Sequence, residues 1–168
     1  MTLVLSDKIT AAVRDENIKE LEKLTSEQAN GTSTRFMRSG RPVLFDANSS
    51  KIIKLLVKNG ANVNCEDSGF PPRSPLYSAI KTGKNIHVIS ALIESGANVN
   101  YHNGCYDSDY PQSILGTAIF YRRWVVFNYL KKQGAEFFDD KEDAITLEIL
   151  SCPASSKNIK SKILSFLL

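Results

Sequence analysis

The chain has 168 residues, of which 42% are hydrophobic and 23% are charged, with a formal net charge of +3. This composition is typical of a soluble globular protein that folds as one body around a single core. The lysines and arginines are dispersed along the chain, with no long basic block, and this distribution argues against nucleic acid as the partner.

The cysteines and the apolar runs indicate where the protein works. Cys65, Cys105 and Cys152 are odd in number and widely spaced, which does not fit a disulfide framework and favours a reducing compartment. No basic leader precedes the apolar patch at the N-terminus, and no apolar run approaches the roughly 18 residues of a spanning helix. We therefore expect a cytoplasmic protein without a membrane partner.

The first predicted elements form a helix pair, over residues 7–13 and 18–24, where apolar residues recur at helical spacing. A polar stretch follows at residues 30–41. Its glycines, Gly31 and Gly40, are not framed by the strand and helix of a phosphate-binding loop. We expect this stretch to be a long mobile loop.

Internal repetition begins after this loop. Residues 58–64 (KNGANVN) and 94–100 (ESGANVN) are nearly identical, and residues 132–136 form a weaker third copy. Such self-similarity indicates a repeat protein, whose units bury their apolar faces by stacking on their neighbours.

Each copy follows the same pattern of a helix, a tight turn and a second helix. Ser74 and Pro75 supply the serine cap and the proline that helix starts favour, and Gly96 supplies the glycine that favours a helix end. In the unit that closes at Gly60, the first helix is compressed into residues 42–47. The apolar helix positions of the two later units are Leu76, Ala79, Ile80, Val88, Ile89, Leu92, Ile93, Leu115, Ala118, Ile119, Val126, Tyr129 and Leu130.

These motifs resemble those of the ankyrin-repeat family. Ser-Pro-Leu-Tyr-x-Ala at residues 74–79 stands where that family has Thr-Pro-Leu-His-x-Ala, and residues 92–100 match its leucine pair followed by Gly-Ala-Asp-Val-Asn. The resemblance covers residues 41–137. It departs from the pattern at Tyr77, Ile114 and Gly116, so the usual hydrogen bonds between adjacent first helices are not expected there.

The resemblance implies an all-α ankyrin-repeat solenoid of about five stacked helix-turn-helix units in one domain, residues 1–168. The predicted units are an N-terminal capping repeat (1–30), three repeats (31–65, 66–100 and 101–137) and a C-terminal capping repeat (138–168). The last helix carries an apolar stripe that we expect to dock on the stack. The resemblance also places Asn64 and Asn100 where some family members are hydroxylated, although Asn62 and Asn98 replace the preferred acidic residue.

The spacing between units shows where the chain is enlarged. The family repeats about every 33 residues, whereas Gly60 and Gly96 are 36 apart and Gly96 and Gly134 are 38 apart. The surplus lies in residues 65–73, here the first finger, and residues 101–112, the second finger. In the family such elongated hairpin loops project along the concave edge and contact partners, and their extra length costs little stability.

The candidate partner-binding residues mix aromatic and charged side chains, as interface hot spots do. They are Phe70, Arg73, Tyr106, Asp107, Asp109, Tyr110, Phe120 and Tyr121. Tyr106, Tyr110 and Tyr121 are the expected anchors. The alternative is that the finger aromatics pack down and fix the loops to the stack.

Two further groups have structural interpretations. Trp124 opens a second helix opposite an apolar stripe, so we assign it to the core. Lys51, Lys54 and Lys58 form a charged stripe on one helix, which predicts a solvated outer face. A phosphate-binding surface is the alternative for that stripe.

Catalytic and metal chemistry have little basis in the sequence. His102 and Cys105, with Cys65 one unit earlier, form the one local metal candidate, but zinc sites usually show two close pairs. His87 lacks a carboxylate or serine at a suggestive spacing. We therefore expect no metal, no cofactor and no catalytic residue.

The expected function is a non-enzymatic module that binds another protein through its concave face and long fingers, without a small-molecule substrate. The resemblance implies an inhibitor, an immunity protein or an adaptor. The alternatives are a secreted bacterial effector delivered into a host cytosol to act on a host protein, and an enzyme whose site the sequence does not reveal.

Overall fold

A computed structural model describes residues 2–24, 26–29, 32–33, 41–102 and 113–137. Its elements in chain order are helices α1 (Thr2–Arg14), α2 (Ile18–Leu21) and α3 (Ser26–Ala29), strands β1 (Thr32–Ser33) and β2 (Arg41–Pro42), the 3-10 helix (Val43–Asp46), and helices α4 (Ser50–Lys58), α5 (Pro75–Lys81), α6 (Ile86–Glu94), α7 (Ile114–Phe120) and α8 (Trp124–Lys132). The predicted C-terminal capping repeat, residues 138–168, lies outside the described residues.

The helices stack in two rows. Neighbours in the inner row are α1, the 3-10 helix, α5 and α7, and neighbours in the outer row are α2, α4, α6 and α8. Within the described residues this gives four pairs of inner and outer elements, each packed against the next. The observed fold is therefore a helical repeat stack, with one face formed by the inner row and the opposite face by the outer row.

Local capping explains where the helices begin. The side-chain oxygens of four cap residues each accept a backbone N–H three residues further on, at 2.9–3.4 Å. These residues are Ser49, Ser74, Asn85 and Ser113. Pro75 occupies the first helical position after Ser74, where its missing N–H costs nothing. The predicted start of this helix is confirmed.

The repeated glycines explain where the outer helices end. Gly60, Gly96 and Gly134 have φ angles of 94°, 94° and 80° and follow α4, α6 and α8 at equivalent positions. This left-handed conformation is accessible to glycine without steric cost. The three copies of the glycine motif are therefore structurally equivalent, as the sequence predicted.

The core runs continuously through the stack between the two rows. Ile53, Ile80, Ile89, Leu115 and Leu130 are among its fully enclosed side chains. Trp124 is half-buried and packs against this core. The tryptophan therefore packs on the core, as expected, but is not enclosed by it.

Two asparagines join consecutive units through their side-chain amides. Asn64 Nδ2 donates to the Gly96 carbonyl oxygen at 3.0 Å, and Asn64 Oδ1 accepts the Asn98 N–H at 2.8 Å. Asn100 repeats the arrangement one unit later, with the Gly134 carbonyl at 3.4 Å and the Glu136 N–H at 2.9 Å. Each amide satisfies one acceptor and one donor of the next unit, so it fixes the register between units.

Basic residues join consecutive inner helices. Lys84 Nζ donates to the carbonyl oxygens of Phe45 at 2.7 Å and Ala47 at 2.6 Å, at the end of the 3-10 helix. In the next unit Arg123 donates to the carbonyls of Ala79, Ile80 and Lys84. The Lys84 bonds satisfy carbonyls at the end of the 3-10 helix, whereas the Arg123 bonds to Ala79 and Ile80 add to turn bonds that these carbonyls already accept. Both sets of bonds occur in units whose motif lacks the family's histidine.

Three expectations need correction. Helix α1 begins at Thr2 instead of residue 7, and α2 ends at Leu21 instead of residue 24. Residues 30–41 were expected to form one mobile loop, but β1 and β2 pair antiparallel near its two ends. A strand of two residues is too short to produce an alternating pattern in the sequence, and β1 also contacts α1, which lies far from it in the chain.

The contribution of Lys84 to stability is testable with Lys84→Met, which keeps the aliphatic stem and removes the hydrogen-bond donor. We expect the free energy of unfolding to fall by about 1–3 kcal/mol, because two helix-end carbonyls lose their partner. Urea denaturation at pH 6.5 measures the change. Lys51→Met on the exposed face of α4 is the control, and equal stability of the two variants would show that the Lys84 bonds contribute nothing.

The same lysine predicts a pH dependence. Burial lowers the pKa of the Lys84 ammonium to about 8, against the attraction of Asp46. Between pH 8 and about 10 the lysine is mostly protonated in the unfolded chain and mostly neutral in the folded protein. The free energy of unfolding should therefore rise with pH over this window. The difference in unfolding free energy between the parent protein and Lys84→Met should grow from pH 7.5 to pH 9.5. A difference in unfolding free energy that stays constant or shrinks would contradict the lowered pKa of Lys84.

Candidate functional site

The first finger is organised by one carboxylate. The Asp67 N–H donates to the Arg73 carbonyl at 3.0 Å, while Asp67 Oδ1 accepts the N–H groups of Gly69 at 3.2 Å and Arg73 at 3.0 Å. A methyl group on Gly69 would lie 3.0 Å from the same carboxylate oxygen and 3.3 Å from the Pro71 carbonyl oxygen. These contacts close the finger into a compact turn in which a side chain at position 69 would be crowded.

This turn presents one aromatic ring to solvent. Phe70 is 97% exposed, and among the described residues Val125 is the other exposed large apolar side chain, at 70%. Val125 lies on α8 of the outer row, whereas Phe70 lies on a finger that precedes the inner helix α5. The two exposed side chains therefore sit on different surfaces of the stack.

Tyr101, the first residue of the second finger, contacts the first finger. Its hydroxyl donates to the Pro72 carbonyl oxygen at 2.9 Å. Burial raises the pKa of the Tyr101 phenol, and the Glu66 carboxylate adds to the rise, so the phenol stays protonated. Tyr101 also packs against the core, so for this aromatic the anchoring alternative holds.

The second finger is bracketed by an isolated antiparallel bridge between His102 and Ser113. Four candidate binding residues, Tyr106, Asp107, Asp109 and Tyr110, lie outside the described residues, and their assignment stays a prediction. Of the four candidates that the structure describes, Phe120 and Tyr121 lie at the end of α7 and are half-buried. Their rings meet edge to face with centroids 5.2 Å apart.

The sequence analysis missed a lysine beside Arg73. Lys81 is the last residue of α5, and Phe120 is the last residue of α7. Aligning these two repeats could therefore have identified Lys81 from the sequence. Burial lowers the pKa of Lys81 and the charge of Arg73 lowers it further, while Asp67 opposes them. The ion pairs within the described residues are Arg14–Asp15 and Lys54–Glu94, so neither Arg73 nor Lys81 has a carboxylate partner there.

The described residues hold little that suggests chemistry. They contain no group of three His, Cys, Asp or Glu side chains able to hold a metal ion. Burial raises the pKa of the Cys65 thiol to about 11, which makes it a poor nucleophile and metal ligand. Cys105, its proposed neighbour, lies outside the described residues. Clefts of about 140 Å³ beside His102 and about 230 Å³ beside Lys8 are both smaller than the roughly 300–1,000 Å³ of ligand sites.

The outer row provides a contrasting surface. Lys51, Lys54 and Lys58 are all exposed on α4. Lys54 Nζ lies 2.8 Å from a carboxylate oxygen of Glu94 on the neighbouring helix α6. An exposed ion pair of this kind contributes little to stability, so this surface serves well for control substitutions.

Comparison with known proteins is consistent with this architecture. A family model described as ankyrin repeats, in three copies, matches residues 43–141. A comparison with curated proteins gives no significant match. No helix in the described part of the chain combines the length and apolarity needed to cross a bilayer. Ankyrin repeats mediate binding to other proteins and are generally non-enzymatic. The match covers more than half of the sequence, and the chain therefore belongs to the ankyrin-repeat family.

Proposed function

We propose that this protein binds a partner protein through the edge formed by its two fingers and the adjoining ends of α5 and α7, and that it acts by occupying the partner without chemistry of its own. The described residues assigned to this edge are Phe70, Arg73, Lys81, Phe120 and Tyr121. Tyr106, Asp107, Asp109 and Tyr110 complete it in the proposal.

The exposure of Phe70 is the observation that carries the proposal. A phenylalanine ring left 97% exposed forgoes about 1.5–3 kcal/mol of burial that packing on the stack would supply. The ring is not on a loose loop, because Asp67 bonds two backbone N–H groups of its finger. An aromatic ring that an ordered turn holds in solvent is available to a partner as an anchor side chain.

The neighbouring side chains fit the composition of an interface. Phe120 and Tyr121 add a pair of touching aromatic rings at the end of α7, and arginine and aromatic residues are enriched in interfaces. Arg73 and Lys81 bring two neighbouring positive charges to this edge. Such charges typically affect the association rate and specificity more than affinity.

Within this function we propose the role of an inhibitor, an immunity protein or an adaptor. Occupation of a partner's surface is sufficient for each of these roles, and none requires a catalytic group. A secreted effector that acts on a host protein would use the same edge and is the alternative. Measuring the partner's own activity with and without this protein separates inhibition from adaptor function.

The proposal predicts the effect of truncating the exposed ring. Phe70→Ala should weaken binding to the partner by about thirtyfold, near 2 kcal/mol, because it removes an anchor side chain. It should leave the melting temperature nearly unchanged, since the ring makes almost no contact with the stack. The partner is first recovered from native lysate on the immobilised protein and identified by mass spectrometry, and its affinity is then measured by titration calorimetry.

Val125→Ala is the matched control, because it also truncates an exposed apolar side chain but lies on the outer row. It should bind like the parent protein. Equal affinities for Phe70→Ala and the parent protein, or a loss with Val125→Ala alone, would place the interface elsewhere.

A further inference from the structure

The first finger is held from two independent sides. From within, Asp67 bonds the N–H groups of Gly69 and Arg73, the residues that flank the Phe70–Pro72 segment. From outside, the Tyr101 hydroxyl bonds the Pro72 carbonyl across a sequence separation of 29 residues. Phe70 therefore lies between residues whose positions are fixed by hydrogen bonds.

The external contact is built into the stack. Tyr101 packs against the core, and it directly follows Asn100, whose amide fixes the register to the next unit. The position of the tyrosine ring is therefore set by the repeat register. The Tyr101 hydroxyl, at the base of the second finger, therefore fixes the position of the first finger.

We propose that residues 66–73 form a preorganised plug that inserts the Phe70 ring into an apolar pocket of a folded partner protein, with Tyr101 as the positioning residue that holds the plug in place. This inference rests on the proposed function, since it specifies the kind of partner that the same edge fits.

The shape of the finger selects this kind of partner. A ring that projects almost wholly into solvent buries its surface only if the partner supplies the concave side. An extended peptide lies along a groove and cannot enclose the ring, whereas a folded protein can. A finger that is already ordered loses little conformational entropy on insertion, and this saving favours tight binding.

The positioning role is tested first on the free protein. Tyr101→Phe removes the hydroxyl and keeps the ring in the core. If Tyr101 holds the plug, the N–H groups of Gly69 and Arg73 should exchange with deuterium about threefold to tenfold faster, the range spanned by one net hydrogen bond. Amide exchange followed by NMR gives these rates. Tyr129→Phe, at a half-buried tyrosine on α8, is the control and should leave both rates unchanged.

The second readout uses the protein recovered by the parent chain, purified as the probe. Phe70→Leu should bind more tightly than Phe70→Ala, since leucine fills part of a pocket. Short overlapping peptides that span the probe's sequence should not bind.

The outcomes separate this inference from the proposed function. Unchanged exchange at Gly69 and Arg73 in Tyr101→Phe would overturn the positioning role, even if affinity fell. Strong binding of one of the short peptides, or equal binding of the leucine and alanine variants, would overturn insertion into a folded pocket while leaving the edge as the binding site. An affinity of Phe70→Ala equal to that of the parent protein would instead contradict the proposed function.

Discussion

The hydrogen bonds that side chains make to the backbone of the adjacent unit fix the register on which the rest of the structure depends. Asn64 and Asn100 join consecutive turns after the outer helices, while Lys84 and Arg123 join consecutive inner helices. Hydrophobic contact between rows drives stacking but is non-directional. The polar bonds add direction, because a shift between units would separate each donor from its acceptor.

A fixed register sets where each finger leaves and rejoins the stack. Each finger leaves the stack after an asparagine that bonds the next unit and returns at the cap of an inner helix, Ser74 or Ser113. Its two ends are therefore placed by the stack, and the loop between them is free to lengthen at small entropic cost. In the proposed function, the helices supply stability while the fingers supply Phe70 and its neighbours for binding.

The repeats could be predicted from the sequence because their capping signals are local. The long-range contacts between units could not be predicted in this way. The cap at Ser74 and the glycine at Gly96 act within three or four residues, so their chemistry is visible in a short window. The bond from Tyr101 to Pro72 and those from Lys84 to the 3-10 helix join residues 29 to 39 apart. They follow from the exact stacking distance between units, which spacing alone does not give. The exposure of Phe70 likewise depends on the turn that Asp67 organises, so composition identified it as a candidate without showing how it is presented.

A solvent-exchange footprint of the complex tests the central claim, that the finger edge is the binding surface, most directly. Amide exchange should be measured along the whole chain with and without the bound partner. The account predicts new protection in residues 65–73, in residues 101–112 and at the end of α7 around Phe120 and Tyr121, with the exposed faces of α4 and α8 unchanged. Protection concentrated on the outer row, with both fingers exchanging as in the free protein, would contradict it.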